Sequence, residues 1–357
     1  MKNLIGIRVE ATLKPVNGSS HIYPSTYANS NSGGPSNHNF TGYNKSTGEF
    51  LLVEVDSVGS FANRIEAELY NLEMLPNITT DVNGTELSAM ELPHRIYDAI
   101  LRDSNLEGTP WRESEIGQEL LSSDKKDATA LYKYAPSTIL LGGWDSHGGD
   151  AVQGVKLARA VACEIWAGPG TAGNHKAQRI DPLLIPRNAE KYYLIDGALS
   201  LAENQDDKHA KKPSELGHGD IPASSSKGVF VEQINFNGHI SVTRLNRYQF
   251  PDENGDITPE RNQAAVNVLV EVAKLGISRV LDSLDLRSGC DLYTESRQCE
   301  LIYADGTKEA IELSSSTDAL ESAIEIAKEK GLVFSEKPVK LTANEKLENL
   351  ANRGAKL

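Results

Sequence analysis

The 357-residue sequence predicts an α+β fold, because segments with a strand pattern and segments with a helix pattern interleave along the chain. The clearest helix pattern places Phe61, Ile65 and Leu69 four residues apart on one face. The dipeptide Asn237-Gly238 between two alternating segments is a strong hairpin signal. Hairpins together with interleaved helices favour α+β, and the sequence has no internal repeat.

The predicted elements follow from the apolar periodicity and from the turn residues between them. Strands are predicted at 4–13, 50–55, 137–141, 229–236 and 239–245, with a further hairpin at 299–313 around Asp305-Gly306. Helices are predicted at 57–71, 152–167, 261–284 and 317–330, the last stopped by Gly331. Loops are predicted at 17–47 and at 168–228, where a protruding hairpin is also expected. Residues 72–135 are acidic and poorly periodic.

Composition excludes several classes of protein. With 39% hydrophobic and 24% charged residues the chain is ordinary globular material, and no segment approaches the roughly 18 apolar residues of a membrane helix. Arg8 and Glu10 interrupt the region where a signal peptide would be apolar, so we expect a cytoplasmic protein. Cys163, Cys290 and Cys299 form no C-x-x-C pair, which excludes a zinc knuckle built on cysteine pairs and argues against a disulfide framework.

Charge is distributed unevenly along the chain. The formal net charge is −14, which argues against a polyanionic ligand. Residues 51–150 hold 7 Lys and Arg against 18 Asp and Glu, whereas residues 151–250 hold 12 against 10. Because the local potential governs contact with a ligand, a nucleic-acid interface in the second region stays compatible with the acidic total.

The start of the first predicted helix has the features of a phosphate site. Ser57, Gly59 and Ser60 lie in its first turn, where backbone N–H groups, hydroxyls and the helix dipole suit an anion. Arg64 follows and could bind the same anion through two hydrogen bonds. In the purely structural alternative, Ser57 or Ser60 caps the helix and Arg64 pairs with Glu68.

A glycine-dense turn at 142–149 contains three kinds of side chain that could contact a ligand. Trp144 could stack on a base, and the glycines would let the backbone approach a phosphate. Asp145, His147 and Asp150 could instead hold a metal ion, which is the basis of a nuclease hypothesis. Turn chemistry is the more common reason for such residues.

Residues 168–173 match the pattern G-x-G-x-x-G of dinucleotide-binding proteins. That fingerprint must follow a strand and open a helix. Here a helical pattern precedes it and no helical pattern follows, so a loop is predicted. No P-loop, G-x-S-x-G or H-E-x-x-H motif indicates catalysis. The basic residues of the following loops could contact phosphates or form an ordinary solvated surface: Lys176, Arg179, Lys208, Lys211, Lys212, His218 and Lys227.

Five segments together resemble one protein family. Residues 51–66, LLVEVDSVGSFANRIE, are similar to that family's LLVES-x-x-S-x-ANRLE signature. The others follow in the family's order and are LGGWDS at 141–146, RIDPL at 179–183, PSELGHGDIP at 213–222 and LRSGCDL at 286–292. The family is the backbone subunit of type I-G (formerly I-U) CRISPR Cascade complexes, in the RAMP superfamily and the Cas-seven family.

The resemblance spans roughly residues 5–300 and implies an RRM-like (ferredoxin-like) palm with an inserted finger region and a thumb β-hairpin. It implies a backbone-subunit domain at 1–310, with fingers at about 72–135 and the thumb at about 200–228. The residues 213–222 are the best candidate for the thumb. Residues 311–357 match nothing in the family and are predicted to be a helical C-terminal extension.

The resemblance also implies a non-catalytic subunit that polymerises along a guide RNA, without a metal ion or cofactor. The implied partners are the guide RNA, the target DNA strand paired with it, further copies of the chain, the large subunit and other RAMP subunits. A helicase-nuclease would be recruited later. The expected RNA contacts are Ser57, Ser60, Asn63, Arg64, Trp144, Ser146, His147, Lys156, Arg159, Lys176, Arg179, Lys211, Lys212, His218 and Lys227.

An alternative is a backbone subunit that cleaves RNA with a metal ion, as in type III relatives of the superfamily. Asp145 or Asp220 would then be the catalytic carboxylate. A dinucleotide-binding enzyme, based on residues 168–173, is the remaining hypothesis.

Overall fold

The computed structural model describes residues 3–27, 37–145, 156–175, 180–185, 190–195, 197–219 and 227–354. The chain forms two compact units. Unit 1 consists of Met1–Gly18, Glu54–Ala167 and Gln233–Leu357, and unit 2 of Ser19–Val53 and Gly168–Glu232.

Groups of strands and groups of helices interleave within the described residues. The strands are β1 Leu4–Pro15, β2 His21–Ile22, β3 Phe40–Thr41, β4 Glu49–Phe50, β5 Leu52–Asp56, β6 Ile78–Val82, β7 Thr85–Ser88, β8 Ser104–Leu106, β9 Thr109–Pro110, β10 Gly143–Trp144, β11 Lys156–Leu157, β12 Val161–Ala167, β13 Gly170–His175, β14 Tyr192–Ile195, β15 Ala198–Leu201, β16 Lys227–Val231, β17 Ile234–Ile240, β18 Leu292–Tyr303, β19 Lys308–Ile311 and β20 Val339–Ala343. The α-helices are α1 Val58–Tyr70, α2 Ala99–Arg102, α3 Glu115–Ser122, α4 Thr129–Tyr134, α5 Pro136–Leu141, α6 Val242–Leu245, α7 Pro259–Asp282, α8 Asp318–Glu329 and α9 Glu345–Gly354. Short 3₁₀ turns occur at Arg95–Tyr97, Trp111–Glu113 and Pro213–Leu216.

The main sheet of unit 1 has the strand order β19-β18-β1-β17-β12-β5. Strand β1 pairs antiparallel with both β17 and β18, and β12 pairs antiparallel with β17. Alternate residues of β1, including Val9 and Leu13, are fully buried, while Arg8 and Glu10 lie on the opposite face. This period of two is the pattern of a sheet covered on one side only.

Helices α1 and α7 cover the buried face of that sheet. Phe61 of α1 packs on Phe236 of β17, with ring centroids 4.9 Å apart. Gly276 of α7 allows close helix packing, because a Cβ there would lie 2.7 Å from Cγ2 of Ile65. Both helices are amphipathic, so burial of their apolar faces supplies most of their stability.

The C-terminal segment completes a second sheet in unit 1, with the order β7-β6-β20-β8-β9. Strand β20 is its middle strand, parallel to β6 and antiparallel to β8. Residues 311–357 were predicted to be helical, and they contain α8 and α9 but also this strand. The segment is therefore part of the fold of residues 72–135, while the predicted domain boundaries stay a prediction.

Unit 2 contains a four-stranded antiparallel sheet of order β2-β16-β13-β4 and a separate hairpin of β14 and β15. Ile22, Val229 and Phe50 are buried on one face of the sheet. The hairpin lies in the region where a protruding hairpin was expected. The backbone N–H and carbonyl groups of Lys211 bond to those of Tyr192 in β14.

Several predicted elements are confirmed. The α+β class is confirmed, as are the strands at 4–13 and 50–55, the helices at 57–71, 261–284 and 317–330, and the hairpin at 299–313. The described residues contain no helix that is both long and apolar enough to cross a membrane.

The strand predicted at 137–141 is wrong, since these residues belong to helix α5. Every residue of α5 is buried, including Ser137 and Thr138, so the segment has no alternation of buried and exposed positions that could distinguish strand from helix. Pro136 occupies the first turn, where its missing N–H costs nothing.

The helix predicted at 152–167 is wrong over its described part, where β11 and β12 occur instead; residues 152–155 lie outside the described residues. In β12, Val161, Cys163 and Ile165 are buried and the residues between them are less so. Small alanines among these residues obscured the period of two. The loop predicted at 168–173 is likewise wrong in part, because β13 begins at Gly170.

The hairpin predicted at Asn237-Gly238 is wrong, because both residues lie inside the central strand β17. Gly238 is required there by packing: a Cβ would lie 2.7 Å from Cζ of Phe236 and 2.9 Å from Sγ of Cys163. The predicted strand at 239–245 accordingly ends at Ile240, and helix α6 follows.

Gly238→Ala is expected to lower the free energy of unfolding by about 1–3 kcal/mol, because the new methyl group overfills the core. Gly59→Ala in α1 is the control, since its Cβ would meet only Oγ of Ser57 at 4.0 Å. That variant should change stability by less than about 1 kcal/mol. Urea unfolding followed by circular dichroism measures both, and equal effects would contradict the packing argument.

A chain ending after Pro338 loses β20 and α9, whereas a chain ending after Asn344 loses only α9. Only the first truncation is expected to remove hydrogen-exchange protection from the amides of β6 and β8, because it removes the strand between them. Exchange measured by mass spectrometry would refute this if the two chains gave the same protection.

Candidate nucleic-acid interface

The N-terminus of α1 is capped by the side chain of Ser57. Oγ of Ser57 accepts a hydrogen bond from the backbone N–H of Ser60 at 3.3 Å, so the capping interpretation of Ser57 is confirmed. Ser57 and Ser60 are half-buried and Asn63 is exposed. The three side chains therefore lie near one helix end, and their contact with phosphate stays a prediction.

Arg64 has a structural role that neither alternative anticipated. Its Nε donates to Oδ2 of Asp56 at 3.0 Å, and its Nη groups donate to the backbone carbonyls of Asp285 and Leu286. The pairing of Arg64 with Glu68 was wrong, because the loop that follows α7 supplies these acceptors. The Arg64 side chain is only 22% exposed.

Asp56 is the meeting point of two of the five segments that carry the resemblance. Its side chain is fully buried and also pairs with Nη2 of Arg287 at 3.5 Å, while Nη1 of Arg287 donates to the carbonyl of Val55 at 2.8 Å. A buried carboxylate is strongly unfavourable unless it is paired and hydrogen-bonded. Segment 51–66 and segment 286–292 are thus joined through one carboxylate.

The described part of the glycine-dense turn presents an aromatic ring beside a cation. Strands β10 and β11 pair with Trp144 opposite Lys156, and both side chains are exposed, Trp144 by 54%. A base could stack on the indole while the ammonium group contacts a phosphate. Ser146 and His147 lie outside the described residues.

Asp145, by contrast, is buried and paired. Its carboxylate oxygens each lie 3.0 Å from a guanidinium nitrogen of Arg112. Among the described residues no three His, Cys, Asp or Glu side chains are grouped closely enough to hold a metal ion. His147, Asp150 and Asp220, the other residues of the nuclease hypothesis, lie outside the described residues.

A buried ion pair between Arg95 and Glu66 is hydrogen-bonded to the first residue of the glycine-dense turn, Gly142. Arg95 donates to both carboxylate oxygens of Glu66, at 2.6 and 2.8 Å, and to the carbonyl of Gly142 at 3.1 Å. Burial raises the pKa of Glu66, and the hydrogen bonds from Arg95 oppose that rise. Arg159 is half-buried nearby, and burial, then the charge of Arg95, lower its pKa. Sequence reasoning missed Arg95, whose partners are remote in the chain.

The basic loops of unit 2 are exposed where they are described. Lys211, Lys212 and His218 all have exposed side chains. Lys176 and Arg179 lie outside the described residues, and for Lys227 only the backbone, in β16, is described. Their contact with RNA stays a prediction.

The face of the main sheet that lies opposite helices α1 and α7 is unsuitable for phosphates. Across neighbouring strands, Glu10 and Glu164 both lie opposite Asn237, and Arg8 lies opposite Glu300. Arg8 forms ion pairs with Glu300 and Glu10, so its charge is already matched. The excess of carboxylates would repel a nucleic-acid backbone laid across this face.

Residues 7–169 match the family model described as CRISPR-associated protein GSU0053. The match covers slightly less than half of the chain and includes the first two of the five segments, 51–66 and 141–146. The match supports the interpretation of this chain as a CRISPR-associated protein. No curated protein sequence matches the chain.

A solved structure described as "CRISPR RNA-guided surveillance complex, pre-nicking" is also similar to the chain. The two share 8% sequence identity over 98% of this chain and 100% of that chain, with a TM-score of 0.34. A similarity of this size establishes neither a shared fold nor a shared function.

Asp56→Ala is expected to lower the free energy of unfolding by about 3 kcal/mol, because it leaves two partly buried guanidinium groups without their carboxylate. Glu68→Ala is the matched control on α1 and should change stability by no more than about 0.5 kcal/mol. Urea unfolding measures both. If Glu68→Ala were the more damaging variant, Arg64 would be paired along its own helix after all.

Proposed function

We propose that the chain is a non-catalytic RNA-binding subunit that polymerises along the guide RNA to form the backbone of a type I Cascade complex, of subtype I-G. The observation that carries the proposal is the match of residues 7–169 to a CRISPR-associated family model. The matched residues include the helix-start signature at 51–66. The three remaining segments of the resemblance, at 179–183, 213–222 and 286–292, support the same family.

The topology of unit 1 supports an RRM-like palm within this proposal. Without the insertions, the chain order β1, α1, β12, β17, α7 and β18 is a β-α-β-β-α-β unit. These strands lie in the order β18-β1-β17-β12, with both helices on one face. A four-stranded sheet backed by two helices is the arrangement of RRM domains. Residues 72–135 are the proposed fingers and about 200–228 the proposed thumb.

The charges favour a mode of RNA binding that avoids the sheet face. RRM domains stack bases on aromatic residues of their sheet, whereas Glu10, Glu164 and Glu300 occupy that position here. Trp144 and Lys156, together with the exposed lysines of unit 2, are better suited to contact RNA. A filament has to accept any guide sequence, so contacts to phosphates and 2′-hydroxyls are expected to dominate.

The proposed partners are the guide RNA, the target DNA strand that pairs with it, copies of this chain, the large subunit and other RAMP subunits. The ion pair of Asp145 with Arg112 favours a structural role for that carboxylate over a catalytic one. We also propose that the protein is located in the cytoplasm.

The purified chain is expected to bind single-stranded RNA of about 30 nucleotides with an affinity that is independent of sequence and falls with salt. Lys156→Ala should reduce the slope of log affinity against log salt concentration by about 0.7, the value for one phosphate contact on a single strand. Lys340→Ala, an exposed lysine of the second sheet, is the control and should leave the slope unchanged. Gel shifts over a salt series measure both.

Discrete successive shifts with intact RNA would agree with a filament. Cuts that depend on Mg²⁺ in the bound RNA would contradict the non-catalytic role and favour the ribonuclease alternative. If RNA bound neither to the chain alone nor to the chain co-expressed with its partner subunits and a CRISPR array, the proposal would be wrong.

A further inference from the structure

The sheet of unit 2 carries a row of side chains on the face opposite its buried side. His21 of β2 lies opposite Phe230 of β16, Phe230 opposite Thr171 of β13, and Thr171 opposite Glu49 of β4. Neighbouring residues in register point to the same face, so these four side chains cross the sheet in one line. None of them belongs to the buried core of the unit.

Aromatic rings form one end of this row. The ring centroids of His21 and Phe230 are 4.7 Å apart with an angle of 37° between the planes, and Tyr23 meets His21 edge-on at 4.9 Å. Gly228 makes room for this arrangement, because a Cβ there would lie 2.6 Å from Nε2 of His21. The imidazole ring thus lies close over the backbone of β16 and beside Phe230.

Phe230 is 46% exposed although it lies in the middle of a regular strand pair. A cross-strand aromatic pair that served only to stabilise the sheet would gain most by burying both rings. Its other neighbour in the row, Thr171, has a short side chain, which leaves the phenyl ring accessible from that side. The strand register therefore presents an open aromatic ring held in place by a second one.

Unit 2 also carries much less negative charge than unit 1. Its residues include 9 Lys and Arg against 10 Asp and Glu, whereas unit 1 has 27 against 40. A polyanion therefore meets far less repulsion at unit 2. Aromatic side chains on a sheet in a surface that is not strongly acidic are the features with which proteins stack unpaired bases, and stacking accepts every base.

We infer that His21, Tyr23 and Phe230 form a stacking site for an unpaired base of the bound RNA, an inference that rests on the proposed function. The site adds a base contact that is independent of sequence to contacts made with phosphates. Thr171 of the glycine-rich segment 168–173 lies beside Phe230 in this row, because the residues from Gly170 onward form strand β13 and not a dinucleotide loop.

Phe230→Leu tests the site, because leucine keeps apolar volume but removes the ring. The full-length chain is titrated into single-stranded RNA of about 30 nucleotides that contains 2-aminopurine, whose fluorescence falls when it stacks on an aromatic ring. Phe230→Leu should weaken binding about fivefold or more at every salt concentration, without changing the salt slope, and should reduce the quenching. Tyr70→Leu, a comparably exposed aromatic residue on α1, is the control and should bind like the unaltered chain.

The outcomes separate this inference from the proposed function. Unaltered RNA affinity and quenching in Phe230→Leu, with the unaltered chain binding RNA, would overturn the stacking site and leave the proposed function standing. Unaltered RNA affinity combined with loss of another Cascade subunit from co-purified complexes would identify a protein-docking face and also overturn the stacking site. Failure of the unaltered chain and its assembled complexes to bind RNA would overturn both. Circular dichroism of Phe230→Leu verifies that the variant is folded.

Discussion

The buried carboxylate of Asp56 is the constraint on which the arrangement around the first helix depends. Asp56 ends β5, and its side chain contacts Arg64 of α1 and Arg287 of the loop before β18. The two arginines also bind the carbonyls of Val55 and Leu286, so strand end, helix and loop are tied together by charge-assisted hydrogen bonds. Two segments that look like independent motifs in the sequence, 51–66 and 286–292, are therefore parts of one structural connection. Part of what resembles a ligand-binding signature is explained by this internal contact.

Charge is the second constraint, because a chain of net charge −14 has to bind a polyanion if the proposed function is right. The negative charge is concentrated in unit 1, where Glu10, Glu164 and Glu300 cover the face of the sheet that RRM domains use for RNA. Unit 2 is nearly neutral and holds exposed lysines and the exposed ring of Phe230, which packs against the half-buried His21. Under the proposed function, the RNA therefore contacts Trp144, Lys156 and the surfaces of unit 2 and avoids the sheet face. Acidic surface elsewhere reduces adhesion of unrelated nucleic acid.

Elements with a strong apolar periodicity were predicted correctly from the sequence. The prediction was wrong where tertiary packing overrides the local turn or strand signal. Helices α1 and α7 have clear apolar faces, and both were predicted within three residues of their ends. Asn237-Gly238 has the composition of a turn but lies in a central strand, because the glycine is needed to avoid Phe236 and Cys163. The site was predicted less well than the fold. Trp144 and Lys156 were named from sequence. The carbonyls of Asp285 and Leu286 that bind Arg64, and the guanidinium of Arg112 that pairs with Asp145, lie more than 30 residues away and leave no local signal.

The central claim is that the chain binds the sugar-phosphate backbone of a guide RNA, whatever the nucleotide sequence of the guide. The most direct measurement is to co-express the chain with its partner subunits and a CRISPR array, purify the assembled complex, and sequence the RNA that nuclease treatment leaves protected. If the proposed function is right, intact guide RNAs from every spacer of the array are present in similar amounts and are protected along their length. Protected RNA that shares one sequence motif, or complexes that contain the chain but no guide RNA, would contradict it.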